Sequence, residues 1–435
     1  MPPELAVTRP PDPPLKPEWV TVPRYGPGSL AAVLPGLIRR LGIDLPPAKD
    51  GPDLAGQSVG LSAREGAKEA RRQLPRGIVL ILADGLGSAN LEGRRGHAPF
   101  CSAQPRSDLV CGFPSTTVAS LASLGTGLPP GETALAGYSL RDPATGARTN
   151  LIKWDTPTPP RRWQPHETIF ERLDRAGHPA AFVGEGRFAD SAMTQSSLRG
   201  ARFYPADKRA DAIVAASLAA ARANDGLVYT YWGALDKIGH SAGWESAAWS
   251  RALEELDGAA RRLAAELPKG WELWLTADHG MVDVTGAPVW DVAKDSELAE
   301  GVTMVAGEAR AVHLYCPQSA GPAGQADGRG ADSSTAASAA SAATQASVAA
   351  VAARWRHRLG AAAWVLTKAE AVAAGLFGSV DQRVWPYLGD VIVALAGRGT
   401  VLDSAVSPDT AKMVGQHGSL TAAEMRVPLI RFCPP

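Results

Sequence analysis

The 435-residue chain has few cysteines and no excess of either charge. Its four cysteines form no CxxC pair, which argues against a disulfide framework and against a thiolate metal site. Its 44 basic and 44 acidic side chains balance, so no overall field favours a nucleic-acid polymer as partner. The apolar fraction of 45% is ordinary for a globular protein.

Patterns typical of membrane insertion and secretion are also missing. No run of uncharged apolar residues approaches the length of about 18 that a spanning helix needs. The N-terminal stretch MPPELAVTRPPDPPLKPEWV has neither the basic nor the apolar region of a signal peptide. We therefore expect a cytoplasmic protein without a membrane partner, and the oligomeric state stays open.

The hydrophobic pattern of the sequence changes along the chain. A proline-rich arm precedes a short helix over residues 29–42, which Pro35 should kink or split. From residue 77 onward, short β-type runs alternate with helical patterns, including a clear amphipathic helix over 246–266. This alternation predicts an α/β fold, with a parallel or mixed sheet covered by helices on both sides.

The alternation weakens after residue 283. Residues 316–347 are rich in alanine, serine and glycine and predict a disordered loop. A helix is predicted over 348–360, and strands are predicted over 389–397 and 426–434.

Acidic and histidine residues follow the apolar runs at several points where a strand should end. In open α/β sheets, ligands bind in the crevice beyond the carboxyl ends of the strands, so these side chains can converge there. The candidate residues are Asp84, Asp236, His240, Asp278, His279 and, before the last predicted strand, His417.

Oxygen and nitrogen donors of this kind bind divalent cations, and without cysteine they favour zinc or manganese. Six such residues are enough for two ions, and two ions can clamp the attacking and leaving oxygens of a displacement at phosphorus. Structural alternatives stay open, because Asp84 could cap a helix and Asp236 and His240 could simply be neighbours on one helical turn.

A hydroxyl cluster, Ser115, Thr116 and Thr117, opens an apolar helical pattern after Pro114. One interpretation is a helix N-cap. The other is a hydroxyl nucleophile at the positive end of a helix, where phosphate is attracted. The two interpretations are compatible.

Taken in order, these segments resemble the alkaline phosphatase superfamily, and within it the nucleotide pyrophosphatase/phosphodiesterase (type I phosphodiesterase) family. The resemblance implies two divalent ions, with zinc favoured and manganese second. It implies that one ion is held by Asp84, Thr117, Asp278 and His279, and the other by Asp236, His240 and His417.

The resemblance also implies an organisation for the whole chain. The fold would be a three-layer α/β/α sandwich with a central, mostly parallel sheet and a cap insertion. Residues 1–76 would form an N-terminal arm packed on the core. The catalytic core would comprise 77–283 and 406–435, and the cap would comprise 284–405.

The activity implied is hydrolysis of phosphodiester or pyrophosphate bonds in small phosphate esters, through a phosphothreonine intermediate on Thr117. Many phosphodiesterases of the family carry an asparagine downstream of the nucleophile, and Tyr138 takes that place here. We expect Tyr138 and Lys153 to contact substrate. The departure leaves open a phosphomonoesterase or phosphomutase on the same scaffold.

Overall fold

The computed structural model describes residues 14–49, 74–223, 226–317 and 333–433. The strands in these ranges are β1 (Gly77–Ala83), β2 (Arg106–Val110), β3 (Ser139–Arg141), β4 (Arg148–Asn150), β5 (Ala181–Glu185), β6 (Arg202–Ala206), β7 (Gly226–Trp232), β8 (Trp271–Thr276), β9 (Val282–Asp283), β10 (Val289–Asp291), β11 (Met304–Glu308), β12 (Ala311–Tyr315), β13 (Ala363–Thr367), β14 (Val391–Leu395), β15 (Thr400–Leu402), β16 (Gly415–Gln416) and β17 (Arg426–Phe432).

The same ranges contain the α-helices of the fold. They are α1 (Val33–Arg40), α2 (Ser88–Gly93), α3 (Pro99–Ser102), α4 (Thr117–Thr126), α5 (Pro130–Thr133), α6 (Pro160–Trp163), α7 (Ile169–Arg175), α8 (Ala210–Ala223), α9 (Ala234–Ala242), α10 (Ala247–Glu266), α11 (Ser296–Ala299), α12 (Ser333–Leu359), α13 (Lys368–Ala373) and α14 (Ala422–Met425).

Seven strands form the main sheet, in the order β2-β17-β8-β1-β7-β5-β6. Strands β8, β1, β7, β5 and β6 run parallel, whereas β17 is antiparallel to both β8 and β2. All residues of β1 are buried, as expected for a central strand covered on both faces. The predicted α/β fold with a central, mostly parallel sheet is confirmed.

Two groups of helices pack around this sheet. Helix α8 contacts β5, β6 and β7 and also packs on α10, while α1, α4 and α7 pack together as a second group. In α10 the predicted apolar positions, such as Trp249, Leu253 and Leu256, are buried. The helix begins where the Ser246 hydroxyl accepts a hydrogen bond from the Trp249 N–H, which satisfies a first-turn donor.

A second, antiparallel sheet has the order β11-β12-β14-β13. It packs with α12 around a smaller apolar core that includes Val312, Val393 and Trp355. These elements fall within 284–405, the segment for which the resemblance implies a cap. The division of the chain into arm, core and cap stays a prediction.

The structure bears on two local predictions. Helix α12 begins at Ser333, inside the segment 316–347 that we predicted to be a disordered loop. Alanine has the strongest intrinsic helix propensity, so an alanine-rich stretch can extend the helix that follows it toward the N-terminus. Residues 318–332 lie outside the described residues. The helix predicted over 29–42 is divided into a 3-10 turn, Leu30–Ala32, and α1, and Pro35 lies in the first turn of α1, where N–H groups have no partner within the helix.

No helix among the described residues combines the length and the apolar character needed to cross a membrane.

Candidate metal centre and active site

The parallel register brings three strand ends to one place. Ala83 of β1 pairs with Trp232 of β7, and Leu82 pairs with Thr276 of β8. Asp84 therefore follows β1 beside the end of β7, and its N–H donates to the Trp232 carbonyl at 2.9 Å.

The neighbouring segments are tied directly to Asp84. The N–H of Asp236, in α9 after β7, donates to the Asp84 carbonyl at 3.1 Å. Asp278, after β8, accepts a hydrogen bond at Oδ1 from the Gly85 N–H at 3.1 Å. The crevice at the carboxyl ends of the strands thus collects the three aspartates that we predicted to lie there.

His417 reaches the same crevice from the far end of the chain. Its segment is held by antiparallel pairing of β16 with β9 and by the hydroxyl of Ser115, which donates to the Ser419 carbonyl at 2.7 Å. The Ser115 oxygen also accepts from the Gly418 N–H at 3.2 Å. Ser115 therefore joins the start of α4 to the loop that carries His417.

The candidate ligands form two adjacent groups. In each group, one potential ligand atom per residue lies within 4.8 Å of the others. The rings of His279 and His417 stack between the groups with centroids 3.7 Å apart. The groups are Asp84, Asp278 and His279, and Asp236, His240 and His417.

In each of the three imidazoles, Nδ1 forms a hydrogen bond with a backbone carbonyl. The partners are Gly415 for His240 (2.8 Å), Ser115 for His417 (2.8 Å) and Gly280 for His279 (3.1 Å). These contacts assign a hydrogen to Nδ1 of each ring and leave Nε2 facing the crevice, where it can bind a proton or a metal ion.

The exposed lone pairs crowd against carboxylate oxygens and against each other. Nε2 of His417 lies 3.3 Å from Nε2 of His240 and 3.6 Å from Oδ1 of Asp236. Nε2 of His279 lies 3.4 Å from Oδ1 of Asp84. Lone pairs at these distances repel one another unless a proton or a metal ion lies between them, and a divalent cation in the crevice would be coordinated by all of these atoms.

The pKa values report the same crowding of negative charge. Burial, followed by repulsion from Asp278 and Asp236, raises the pKa of Asp84 well above its ordinary value. Burial also raises the pKa of Asp278 to about 7. Burial acts against protonated His240, but nearby Asp236 outweighs it and raises the pKa of His240 to about 9.

These observations test whether the site fits divalent cations. Oδ2 of Asp278 and Oδ1 of Asp236 are shielded from solvent and have no hydrogen-bond partner of normal geometry among the described residues; imidazole Nε2 atoms lie 3.5 Å (His279) and 3.3 Å (His240) from them. Buried carboxylate oxygens without a partner are unfavourable unless a cation balances them. The donor set is all oxygen and imidazole nitrogen, which suits zinc or manganese. The residues fit the two-ion centre that we predicted.

Thr117 lies at the edge of the first group. Its Oγ1 is 3.2 Å from Nε2 of His279 and 3.5 Å from Oδ1 of Asp84. Thr117 is the first residue of α4, and Thr116 is its N-cap. The capping interpretation fails in its usual form, because the Thr116 side chain accepts no hydrogen bond from the first turn.

A cavity of about 520 Å3 opens over this site. Asp84, Thr116 and Thr117 line it, and so does Tyr138, which is 36% exposed. Lys153 is exposed and is not among the lining residues. The structure therefore brings Tyr138 to the cavity and does not bring Lys153 there.

The sequence analysis did not identify two residues that contribute to this site. Tyr231, in β7, donates its hydroxyl hydrogen to Oδ2 of Asp84. Glu308, at the end of β11, lines the cavity and accepts a hydrogen bond from the Tyr138 N–H at 3.1 Å. Tyr231 looks like any strand residue in the sequence, and Glu308 belongs to a sheet that we did not predict.

A third acidic–histidine group, Glu132, His166 and Asp381, already contains a cation. The guanidinium of Arg383 lies 2.8 Å from Nε2 of His166 and 3.5 Å from Oδ2 of Asp381. Arg383 thereby occupies the His166 lone pair that a metal ion would need.

Comparison with known proteins adds independent support for the fold. Human ectonucleotide pyrophosphatase/phosphodiesterase 5 aligns with a TM-score of 0.58 at 14% identity, covering 82% of this chain and 88% of that chain. An inactive variant of the murine protein, solved in complex with AMP, aligns with a TM-score of 0.58 at 15% identity, with the same shares covered.

A bacterial enzyme has a comparable fold. Phosphonoacetate hydrolase from Sinorhizobium meliloti 1021, in complex with phosphonoformate, aligns with a TM-score of 0.57 at 18% identity, covering 82% of this chain and 90% of that chain. Curated protein sequences yielded no match.

The family model described as type I phosphodiesterase/nucleotide pyrophosphatase matches residues 78–420. This range runs from the first strand of the main sheet to just beyond His417 and includes both groups of candidate ligands. The chain therefore belongs to the type I phosphodiesterase/nucleotide pyrophosphatase family and is a phosphoric ester hydrolase.

Proposed function

We propose that the protein cleaves phosphodiester or pyrophosphate bonds of small phosphate esters through a phosphothreonine intermediate on Thr117, at a centre of two divalent cations, most simply zinc. The observation that carries the proposal is the position of the Thr117 hydroxyl. It lines the cavity and lies within 3.5 Å of ligand atoms of both Asp84 and His279.

Asp84, Asp278, His279 and the Thr117 oxygen would hold one cation, and Asp236, His240 and His417 would hold the other. When bound, the two cations would stabilise negative charge on the attacking and leaving oxygens. Thr117 supplies the nucleophilic oxygen. As the first residue of a ten-residue helix, it also lies where the helix N-terminus attracts the phosphoryl group.

The second sheet supports the proposed cap over residues 284–405. The cavity is lined by Val305 and Glu308 of β11 and by Leu402 of β15. It is also lined by Arg148 of β4 and by Ile152, which follows β4. Substrate selection would then depend on segments outside the main sheet, whereas the chemistry would depend on the ends of its strands.

The proposal predicts that Thr117→Ala abolishes hydrolysis of bis-p-nitrophenyl phosphate and leaves the metal content unchanged. Zinc-loaded wild type and variant should be compared for turnover and for bound metal by elemental analysis. Thr117→Ser keeps a hydroxyl and should retain part of the activity. Wild-type turnover in Thr117→Ala would refute the nucleophile, and fewer than two ions per chain would refute the centre.

A parallel assay of p-nitrophenyl phosphate tests the preference for diesters. We expect a higher kcat/KM for the diester than for the monoester. The reverse order would favour a phosphomonoesterase on the same scaffold.

A further inference from the structure

The N-terminal arm lies outside the family match, yet it contacts segments that carry the candidate site. The match begins within β1, and the described part of the arm covers residues 14–49. The Thr21 N–H donates to the Leu420 carbonyl at 2.7 Å, three residues beyond His417. The arm therefore runs beside the loop of a candidate metal ligand.

One residue of the arm reaches the segment that carries the nucleophile. The Tyr25 hydroxyl accepts a hydrogen bond from the Phe113 N–H at 3.0 Å, four residues before Thr117. The same hydroxyl donates to the carbonyl of Leu376, in the segment that follows α13. A single phenol thus joins the arm, the nucleophile segment and the part of the chain proposed to form the cap.

The surroundings of Tyr25 fit these contacts. A Cβ atom at Gly112 would lie 3.1 Å from Cε1 of the ring, and one at Gly378 would lie 2.9 Å from Cδ2. Glycine at both positions leaves room for the ring. Burial raises the pKa of Tyr25, so the phenol keeps its hydrogen and can donate one hydrogen bond while it accepts the other.

The nucleophile segment is held at two points directly before α4. Ser115 joins it to the loop of His417 through its hydroxyl group. Phe113 is held by its N–H and by its buried ring, which packs against Phe377 with centroids 5.6 Å apart. The direction of the Thr117 hydroxyl therefore depends on how firmly these two points are fixed.

We propose that Tyr25 is a positioning residue for the reaction, which holds the Phe113 N–H and thereby keeps the Thr117 hydroxyl directed at the phosphoryl group. This role rests on the proposed function, because it needs Thr117 as the nucleophile. It extends the active site to a part of the chain that the family match does not include. If Tyr25 only fastened the arm to the core, its hydroxyl would affect stability and not the rate of attack.

Tyr25→Phe tests this role, because it keeps the ring and removes both hydrogen bonds. Release of p-nitrophenol from bis-p-nitrophenyl phosphate in a single turnover, with zinc-loaded enzyme in excess, measures the attack by Thr117. This rate should fall by about 10- to 100-fold, since a small displacement of a reacting group costs that much. Tyr25 is not among the residues that line the cavity, so the zinc content should match that of wild type.

Tyr315→Phe is the matched control, because the Tyr315 hydroxyl has the same pattern of contacts. It accepts from the Arg141 N–H at 3.0 Å and donates to the Tyr387 carbonyl at 2.6 Å, and Tyr315 also lies outside the cavity lining. Each substitution removes two hydrogen bonds of the same kind, so the urea midpoints of both variants should fall to a similar extent. The single-turnover rate should fall in Tyr25→Phe and stay unchanged in Tyr315→Phe.

Hydrogen exchange provides a reading that does not depend on turnover. In Tyr25→Phe the Phe113 amide loses its acceptor and should exchange faster than in wild type. General loss of stability affects both variants, so the increase should be larger in Tyr25→Phe than in Tyr315→Phe.

Four results would overturn the positioning role: a wild-type single-turnover rate in Tyr25→Phe, an equal loss of rate in Tyr315→Phe, loss of zinc from Tyr25→Phe, or equal exchange of the Phe113 amide in both variants. Each of them leaves the proposed function intact. Wild-type turnover in Thr117→Ala would instead overturn the proposed function, and the positioning role with it.

Discussion

At the scale of single residues, the candidate centre depends on groups that orient its ligands. Asp84 is only 2% exposed, and its Oδ2 accepts the hydroxyl hydrogen of Tyr231. Burial, reinforced by Asp84, raises the pKa of Tyr231 well above its ordinary value, so the phenol remains a donor. Partners of this kind fix the direction of a ligand's lone pairs.

Tyr231→Phe should weaken metal binding by about 10- to 100-fold, the range typical for loss of such a partner. Titration of the metal-free protein with zinc measures the change. Tyr229→Phe is a matched control, because Tyr229 lies on the same strand and its buried hydroxyl has no hydrogen-bond partner within the part of the chain that the structure describes. Equal affinities in the two variants would show that Tyr231 does not orient Asp84.

Individual residues also show which parts of the candidate site could be predicted from the sequence. Asp84 and Asp278 were found because each follows an apolar run that can only be a buried strand, and the ends of parallel strands meet. Tyr231 and Glu308 carry no such sign. Their roles arise from the direction of one side chain within β7 and from a sheet that closes over the crevice, and both depend on the folded chain.

At the scale of elements, a buried ion pair joins the second sheet to the segment after His417. Arg310, between β11 and β12, contacts both carboxylate oxygens of Glu424 in α14, and neither side chain is exposed. Glu424 also accepts from the Ser419 N–H at 3.0 Å, two residues beyond His417. This pair therefore fixes the loop that carries a candidate ligand.

Arg310→Ala should lower the free energy of unfolding by about 3–5 kcal/mol, because it leaves a buried carboxylate without its partner. Urea unfolding of the metal-free protein measures this loss without a contribution from bound ions. Arg262→Ala is the control, since the Arg262–Glu266 pair is 49% and 42% exposed. That change should stay below about 1 kcal/mol. Similar losses in both variants would contradict the anchoring role.

Among the elements, most strands of the main sheet could be predicted, whereas in the second sheet only β14 corresponds to a predicted strand, the one over 389–397. The run GIVLILA forms β1 over the residues expected, because a fully buried parallel strand is continuously apolar. The strands β11 and β12 are short and mix polar with apolar residues, and β12 pairs with β14 across a long stretch of intervening chain. Such pairing leaves no local pattern.

At the scale of the whole molecule, a formal net charge of +0 conceals a local excess of negative charge at the crevice. Burial raises the pKa of Asp278 to about 7 and that of Glu308 to about 8. The proximity of Asp236 overcomes burial and raises the pKa of His240 to about 9. The ordinary pKa values are 3.8 for Asp278, 4.5 for Glu308 and 6.5 for His240. Between pH 7 and 9 the folded metal-free protein therefore binds more protons than the unfolded chain.

The metal-free protein should therefore lose stability as the pH rises from 7 to 9. Stability falls with pH wherever the folded state holds the extra protons, by up to about 1.4 kcal/mol per pH unit for each such group. Urea unfolding of chelator-treated protein at several pH values measures the slope. In the zinc-loaded protein Asp278 and His240 bind metal and no longer titrate in this range. Most of the dependence of unfolding free energy on pH should therefore disappear, and Glu308→Gln should remove the contribution of Glu308. A metal-free protein that gains stability over this range would show that the buried carboxyl groups and His240 do not hold these protons, and the case for cations as their natural counter-charge would fail with it.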